Sequence, residues 1–240
     1  MLIMQSVVKT LGHMWEELLL HIISLSQHAW RGRLQNMKAL LINGSPNAKG
    51  NTFHALSMVA GAMNAAGVET EIVQIGAQAV QGCIGCRQCL KTGRCGMNDK
   101  LYNYIYDQLD SIDAVVLGSP TYFAGPNGSL CALLDRLYYS AGAKLAYKPG
   151  ATVAVARRGG ASTTLDRLNK YITYNNQPLV SSFYWNMIYG MRPGEVQMDA
   201  EGAQTLRHLG QNLAWVMKCI AAGPAHPQLE EPRAWTHFIR

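Results

Sequence analysis

The sequence predicts an α/β protein: an open, doubly wound parallel sheet of five strands with helices on both faces, a three-layer sandwich. Three observations carry that expectation. Short, continuously apolar runs such as KALLING (38–44) and DAVVLGSP (113–120) recur along the chain, and strands apolar on both sides belong to buried parallel sheets. Longer segments with helical spacing separate them, as parallel crossovers require. The strongest of these runs lead into loops rich in Gly, Pro, Ser and Asn, where open α/β sheets bind their ligands.

Taken in order, residues 1–36 read as an amphipathic helical extension. Its apolar stretch from Leu18 to Leu25 follows Glu16 and Glu17 and lacks a small-residue cleavage pattern, which makes it a poor signal peptide. Met37 stands directly before the first strand, so the extension also reads as an upstream translation start. The main domain spans 37–222, and 223–240 is a C-terminal tail. KALLING is the first buried strand, and TFHALSMVAGAMNAAG (52–67) is a helix closed by Gly67. ETEIVQI (69–75) alternates like a strand. DAVVLGSP is followed by a loop and the helix LCALLDRLYYSAG (130–142). ATVAVA (151–156) runs through RRGGAS into the helix TTLDRLNKYI (163–172). A fifth strand is expected over Leu179 to Tyr184, and AEGAQTLRHLGQNLAWVMKCIAA (200–222) is a long final helix.

Composition narrows the function classes. With 48% hydrophobic and 15% charged residues in 240, the chain belongs with compact globular proteins rather than disordered ones. The formal charge is +6, but the basic residues are scattered rather than clustered on one stripe. That suits a small anionic ligand and argues against nucleic acid. No apolar run is long enough for a membrane span. Six cysteines are far too few for a disulfide scaffold, so a reducing, cytoplasmic setting is expected. Cys131 and Cys219 sit in apolar helical contexts and read as small buried hydrophobes. The seven histidines show no metal spacing, and His54 reads as structural.

Three loops carry the chemistry. NGSPNAKGNT (43–52) runs from a strand straight into a helix. Ser45, Gly50, Asn51 and Thr52 there offer short donors and unpaired backbone N–H groups to an anion, and Lys49 adds charge. It is neither a dinucleotide fingerprint nor a Walker motif. A phosphomonoester is the natural guest; an ordinary capped turn is the alternative. SPTYFAGPNGSL (119–130) is stiffened by Pro120 and Pro126 and opened by Gly125 and Gly128. Its Tyr122 and Phe123 give flat apolar surface suited to an aromatic ring. ARRGGAST (156–163) offers Arg157 or Arg158 to a ligand's negative charge and places Gly159 and Gly160 before a helix.

The segment CIGCRQCLKTGRC (83–95) holds Cys83, Cys86, Cys89 and Cys95 at C-x2-C-x2-C-x5-C spacing. Structural zinc usually takes two separated cysteine pairs. This run is closer to cubane iron–sulfur spacing, differing from the bacterial ferredoxin pattern mainly in the last gap. Thiols that merely pack over the sheet remain the alternative.

Together GSPNAKGNT, GCIGCRQCLKTGRC, SPTYFAGPNGSLCALLDR and RRGG resemble the flavodoxin-like NADPH-dependent FMN reductase superfamily, specifically its iron–sulfur flavoprotein branch. The resemblance covers about residues 37–222, including YWNMIYG and the DAEG that opens the last helix. It implies FMN, with the phosphate on the Ser45-Pro46 turn, Lys49, Gly50, Asn51 and Thr52. It also implies an isoalloxazine ring lined by Pro120, Thr121, Tyr122, Phe123 and Gly125, with Gly159 and Gly160 on its other side. A [4Fe–4S] cluster on the four clustered cysteines would lie near the flavin. Asn47 departs from the pattern, which often has a basic residue there and so leaves the phosphate to backbone amides and Lys49. The expected activity is electron transfer from NAD(P)H through FMN to a quinone-like, azo or nitro compound, a flavin, or a protein acceptor. The competing class is a non-enzymatic electron carrier. The resemblance further implies a homodimer or homotetramer, with FYWNMIYG (183–190) at an interface or over the flavin.

Overall fold

The structure, a computed structural model, describes residues 36–228 together with 230, 231, 234, 236 and 238. The helical extension expected over 1–36 therefore lies, apart from Asn36, outside the described residues. The chain lays down β1 (Lys38–Asn43), α1 (Asn51–Ala65) and β2 (Glu69–Gln74). A helical turn, α2 (Cys89–Thr92), and α3 (Lys100–Gln108) lead into β3 (Ala114–Tyr122), which folds back on β4 (Gly125–Pro126). Then come α4 (Gly128–Leu145), β5 (Gly150–Ala156), α5 (Ala161–Tyr174), β6 (Met187–Tyr189), a 3₁₀ turn (Glu195–Met198) and α6 (Ala200–Ala222).

The main sheet runs β2-β1-β3-β5-β6, with every neighbour parallel and β4 attached antiparallel to β3. Winding reverses between β1 and β3, so the crevice of the fold opens beyond their carboxyl ends. The apolar runs of the sequence serve both faces. Ala39, Leu41, Ala114, Val116 and Val153 pack with Leu56, Met63, Leu206 and Leu213 of α1 and α6. Leu40, Ile42, Val115 and Leu117 pack on the opposite face with Tyr102, Ile105, Leu133, Leu137 and Ile172 of α3, α4 and α5. Each fully buried Leu or Ile contributes about 1.5–3 kcal/mol of transfer free energy, and these two layers clamp the strand ends in register.

The fifth strand differs from the expectation. Leu179 makes only an isolated bridge with Gly150, and the sheet is completed by Met187–Tyr189 beside Ala154–Ala156. Chain 179–184 begins along β5, with Val180 N–H donating to Gly150 O at 2.9 Å, and then turns out. Phe183 and Tyr184 face solvent while Met187 and Ile188 are buried, so burial rather than aromatic content selects the strand. Helix α3 went unexpected in the sequence. Asp99 caps it, accepting from Leu101 N–H at 2.9 Å and Tyr102 N–H at 3.2 Å, and Tyr102, Ile105 and Leu109 form its buried stripe. Cys131 is half-buried, but Cys219 is exposed, because it falls two residues past Met217 on the outer face of α6. Among the described residues no helix is long and apolar enough to cross a membrane.

Candidate functional site

Three loops meet at the carboxyl edge of β1, β3 and β5. The first is held from beneath. Gly44 N–H donates to Gly118 O at 2.7 Å, and Ser45 N–H to Asn43 Oδ1 at 3.0 Å. Asn47 N–H donates to Ser45 Oγ at 3.1 Å, and the Gln74 amide bonds Ser45 O. The loop enters α1 through Gly50 in extended conformation, with no side chain capping the helix. By contrast, Asp99, Asn127 and Asp199 cap α3, α4 and α6. The first-turn N–H groups of α1 are thus left to whatever sits before them, and the helix dipole favours an anion there. Asn51 Oδ1 is buried without a hydrogen-bond partner, an arrangement that costs free energy unless a ligand or water completes it.

The second loop is the hairpin of Thr121 and Tyr122 against Pro126 and Gly125. Ser119 Oγ accepts from Asn127 N–H at 2.9 Å, and Asn127 Oδ1 accepts from Ser129 N–H at 2.7 Å, so the hairpin base is tied to the start of α4. At its tip Phe123 and Ala124 both adopt positive φ, 49° and 60°, and Phe123 stands fully in solvent. The third loop supports the second. A Cβ on Gly160 would lie 2.7 Å from Ala124 Cα, and Thr164 Oγ1 meets Thr121 Oγ1 at 3.2 Å.

The loops enclose a cavity of about 260 Å³ walled by Ser45, Asn47, Gly50, Asn51, Thr52, Pro120, Thr121, Tyr122, Val155, Ala156 and Arg157, with Gly190, Met191 and Pro193 closing it. Of the residues singled out from the sequence, it gathers Ser45, Gly50, Asn51, Thr52, Pro120, Thr121, Tyr122 and Arg157. Pro46, Lys49, Phe123, Gly125, Gly159 and Gly160 stand outside its walls. Of this closing wall, sequence reasoning reached only Gly190, at the end of FYWNMIYG, and missed Met191 and Pro193. Their signal was the Pro193-Gly194 turn, which Glu195 braces by accepting from Met191 and Arg192 N–H, each at 2.8 Å. His54 is no part of the cavity; its Nδ1 meets Gln197 Nε2 at 3.1 Å.

The four clustered cysteines border a second, much smaller cavity of about 20 Å³, together with Ile84, Met97, Arg136, Tyr139 and Ser140. Gly85 and Gly93 take positive φ, 67° and 70°, so the segment wraps as its glycines suggest. Burial pushes the Cys89 thiol up. Its own backbone bond acts against this, while nearby Cys83, Cys95 and Cys86 add to the rise. All six cysteines are free. Among the described residues no three of these side chains are gathered to hold a single metal ion. A cubane asks for something else, one thiolate at each of four corner irons, and a set of four soft donors around one space fits that chemistry.

An all-parallel sheet in the order 2-1-3-5-6, with its ligand loops at the switch point, defines a flavodoxin-like α/β protein. Comparison with known proteins agrees. The model of the NADPH-dependent FMN reductase family matches residues 37–190. An iron–sulfur flavoprotein of Methanocaldococcus jannaschii is 32% identical over 192 residues, covering 77% of this chain and 99% of the relative. Among solved structures, RosB with a bound formylriboflavin phosphate intermediate superposes with a TM-score of 0.62 at 12% identity, over 84% of this chain and 96% of that one. A flavodoxin, WrbA-like protein from Agrobacterium tumefaciens gives 0.53 at 19% identity, over 77% and 98%. The chain belongs to the NADPH-dependent FMN reductase family, in its iron–sulfur flavoprotein branch.

Proposed function

We propose that this FMN-dependent oxidoreductase, as its family membership makes it, takes electrons from NAD(P)H and passes them to a quinone-like, azo or nitro compound, a flavin, or a protein acceptor, with a [4Fe–4S] centre on Cys83, Cys86, Cys89 and Cys95. The observation that carries the FMN site is the uncapped start of α1; the partnerless buried Asn51 Oδ1 beside it, an acceptor, would take a hydroxyl or N–H donor of the ligand rather than a phosphate oxygen. In this reading the N–H groups of residues 51–53, with the Ser45 and Thr52 hydroxyls, hold the phosphate. Lys49, exposed beyond the wall, adds only long-range attraction. The cavity is slightly smaller than the ~300 Å³ lower end of small-molecule sites, and Tyr122 with the Phe123 hairpin beside it would offer the flavin ring further apolar surface. Val155 and Ala156 keep water from that edge, and Arg157 places positive charge at its rim.

When bound, FMN supplies hydride acceptance and onward electron release, and the iron–sulfur group supplies one-electron transfer. The chain's own task is to hold, orient and exclude water. Exposed Phe183, Tyr184 and Trp185 offer the apolar surface for the homodimer or homotetramer that this reading includes. Anaerobic purification with flavin, iron and acid-labile sulfide assays, followed by addition of NAD(P)H, examines the proposal. One FMN and about four irons per chain, with bleaching by NAD(P)H alone, are expected. FMN without iron would remove the cluster and leave the reductase. Bleaching only with an added partner reductase would make the protein a carrier, and a colourless protein that binds no flavin would defeat the reading.

A further inference from the structure

Arg136 projects from α4, and its side chain is fully buried. A buried guanidinium is costly unless paired and hydrogen-bonded throughout, so its contacts show what it is for. Nη1 donates to Asp99 Oδ2 at 2.6 Å and to Gln81 O at 3.4 Å, and Nη2 to Met97 O at 3.5 Å. Nε–H donates to Cys95 Sγ at 3.4 Å. The guanidinium also lies 4.9 Å from the centre of the Tyr102 ring, whose hydroxyl accepts from Cys95 N–H at 3.0 Å. Asp99 divides itself between this cation and the N–H groups that it caps on α3. Arg136 shares one cavity wall with all four cysteines. A charge out of water thus sits beneath the thiols, with one N–H aimed at sulfur.

We infer that Arg136 is the positioning and charge-compensating residue for the iron–sulfur group held by Cys83, Cys86, Cys89 and Cys95, and that it raises the reduction potential of that group. The inference rests on the cluster reading above. Cluster potentials follow net charge, hydrogen bonds to sulfur and solvent exposure. A cation screened by protein rather than water favours the electron that a cluster gains. A purely structural Arg136, tying residues 81, 97 and 99 to α4, would give no ordered effect on potential.

The experiment is a redox titration, followed by absorbance and electron paramagnetic resonance, of anaerobically purified wild-type, R136Q, R136K and D99N protein. R136Q is expected to be reduced at least tenfold less at a fixed potential, a shift of about 59 mV or more to the negative for one electron. R136K, which keeps the charge and loses the Nε–H contact, falls between R136Q and wild type. D99N shifts the opposite way, because Asn still caps α3 but no longer neutralises the guanidinium. Iron-loaded R136Q with an unchanged potential, or D99N shifting in the same direction as R136Q, overturns the inference. Where R136Q holds no iron, D99N decides alone: a rise supports the inference, and no change or a fall overturns it. Wild-type protein without iron defeats the cluster reading itself, a result told apart from all of these by the iron assay.

Discussion

Asp99 and Gly160 show how single residues hold this site in place. Burial works against the Asp99 carboxylate, but the bonds from Arg136, Tyr102 N–H and Leu101 N–H hold its pKa below the usual carboxylate range. A carboxyl whose folded value is depressed stabilises the protein above its unfolded value, about 3.9, and that stability is lost as pH falls through the lower folded value. The thermal midpoint of the wild type is therefore expected to drop more steeply below about pH 4 than that of D99N; parallel curves would show that Asp99 contributes nothing. Gly160 sits at φ +88° with the Ala124 backbone 2.7 Å from where a Cβ would be. Gly160→Ala is expected to cost about 1–3 kcal/mol and lower the melting midpoint by several degrees. Much of this scale was legible: Ser45, Gly50, Asn51 and Thr52 stand out because short polar residues and glycine at a strand-to-helix junction have few other uses. Arg136 was not. In LLDRLYY it reads as an ordinary surface arginine, and only the wrapping of residues 95–99 over α4 buries it.

At the scale of elements, the Phe123-Ala124 connection is the informative one. A two-residue hairpin with both central φ values positive normally takes Asn-Gly, and a left-handed residue with a side chain costs about 1–2 kcal/mol. The double change Phe123→Asn with Ala124→Gly is expected to raise the melting midpoint by at least about 2–4 °C while weakening flavin retention. An unchanged midpoint would show that the tip holds no strain, and unchanged retention would remove Phe123 from the flavin surface. The same scale holds the two places where sequence reasoning fell short. The stretch 179–184 has strand-like composition, yet its aromatic residues face out, and the shorter Met187–Tyr189 supplies the buried pair that β5 needs. Helix α3 was hidden because the glycines and cysteines before it draw attention as loop. Its cap and its 102-105-109 stripe were in plain view.

For the whole molecule, the doubly wound parallel class was readable because buried parallel strands must be apolar on both faces, as β1, β3 and β5 are; the order of the strands was not. The rest of the closing wall, at 191–193, was not readable, since it depends on where β6 ends and how Glu195 folds the chain back. These parts converge on one claim: the start of α1 is built to take the phosphate of FMN. A binding titration of flavin-free protein with FMN and, separately, with riboflavin measures this directly through quenching of flavin fluorescence. FMN is expected to bind at least tenfold more tightly, about 1.4 kcal/mol, with the gap narrowing as salt is raised. Equal affinity for the two flavins, or binding of neither, would contradict the claim.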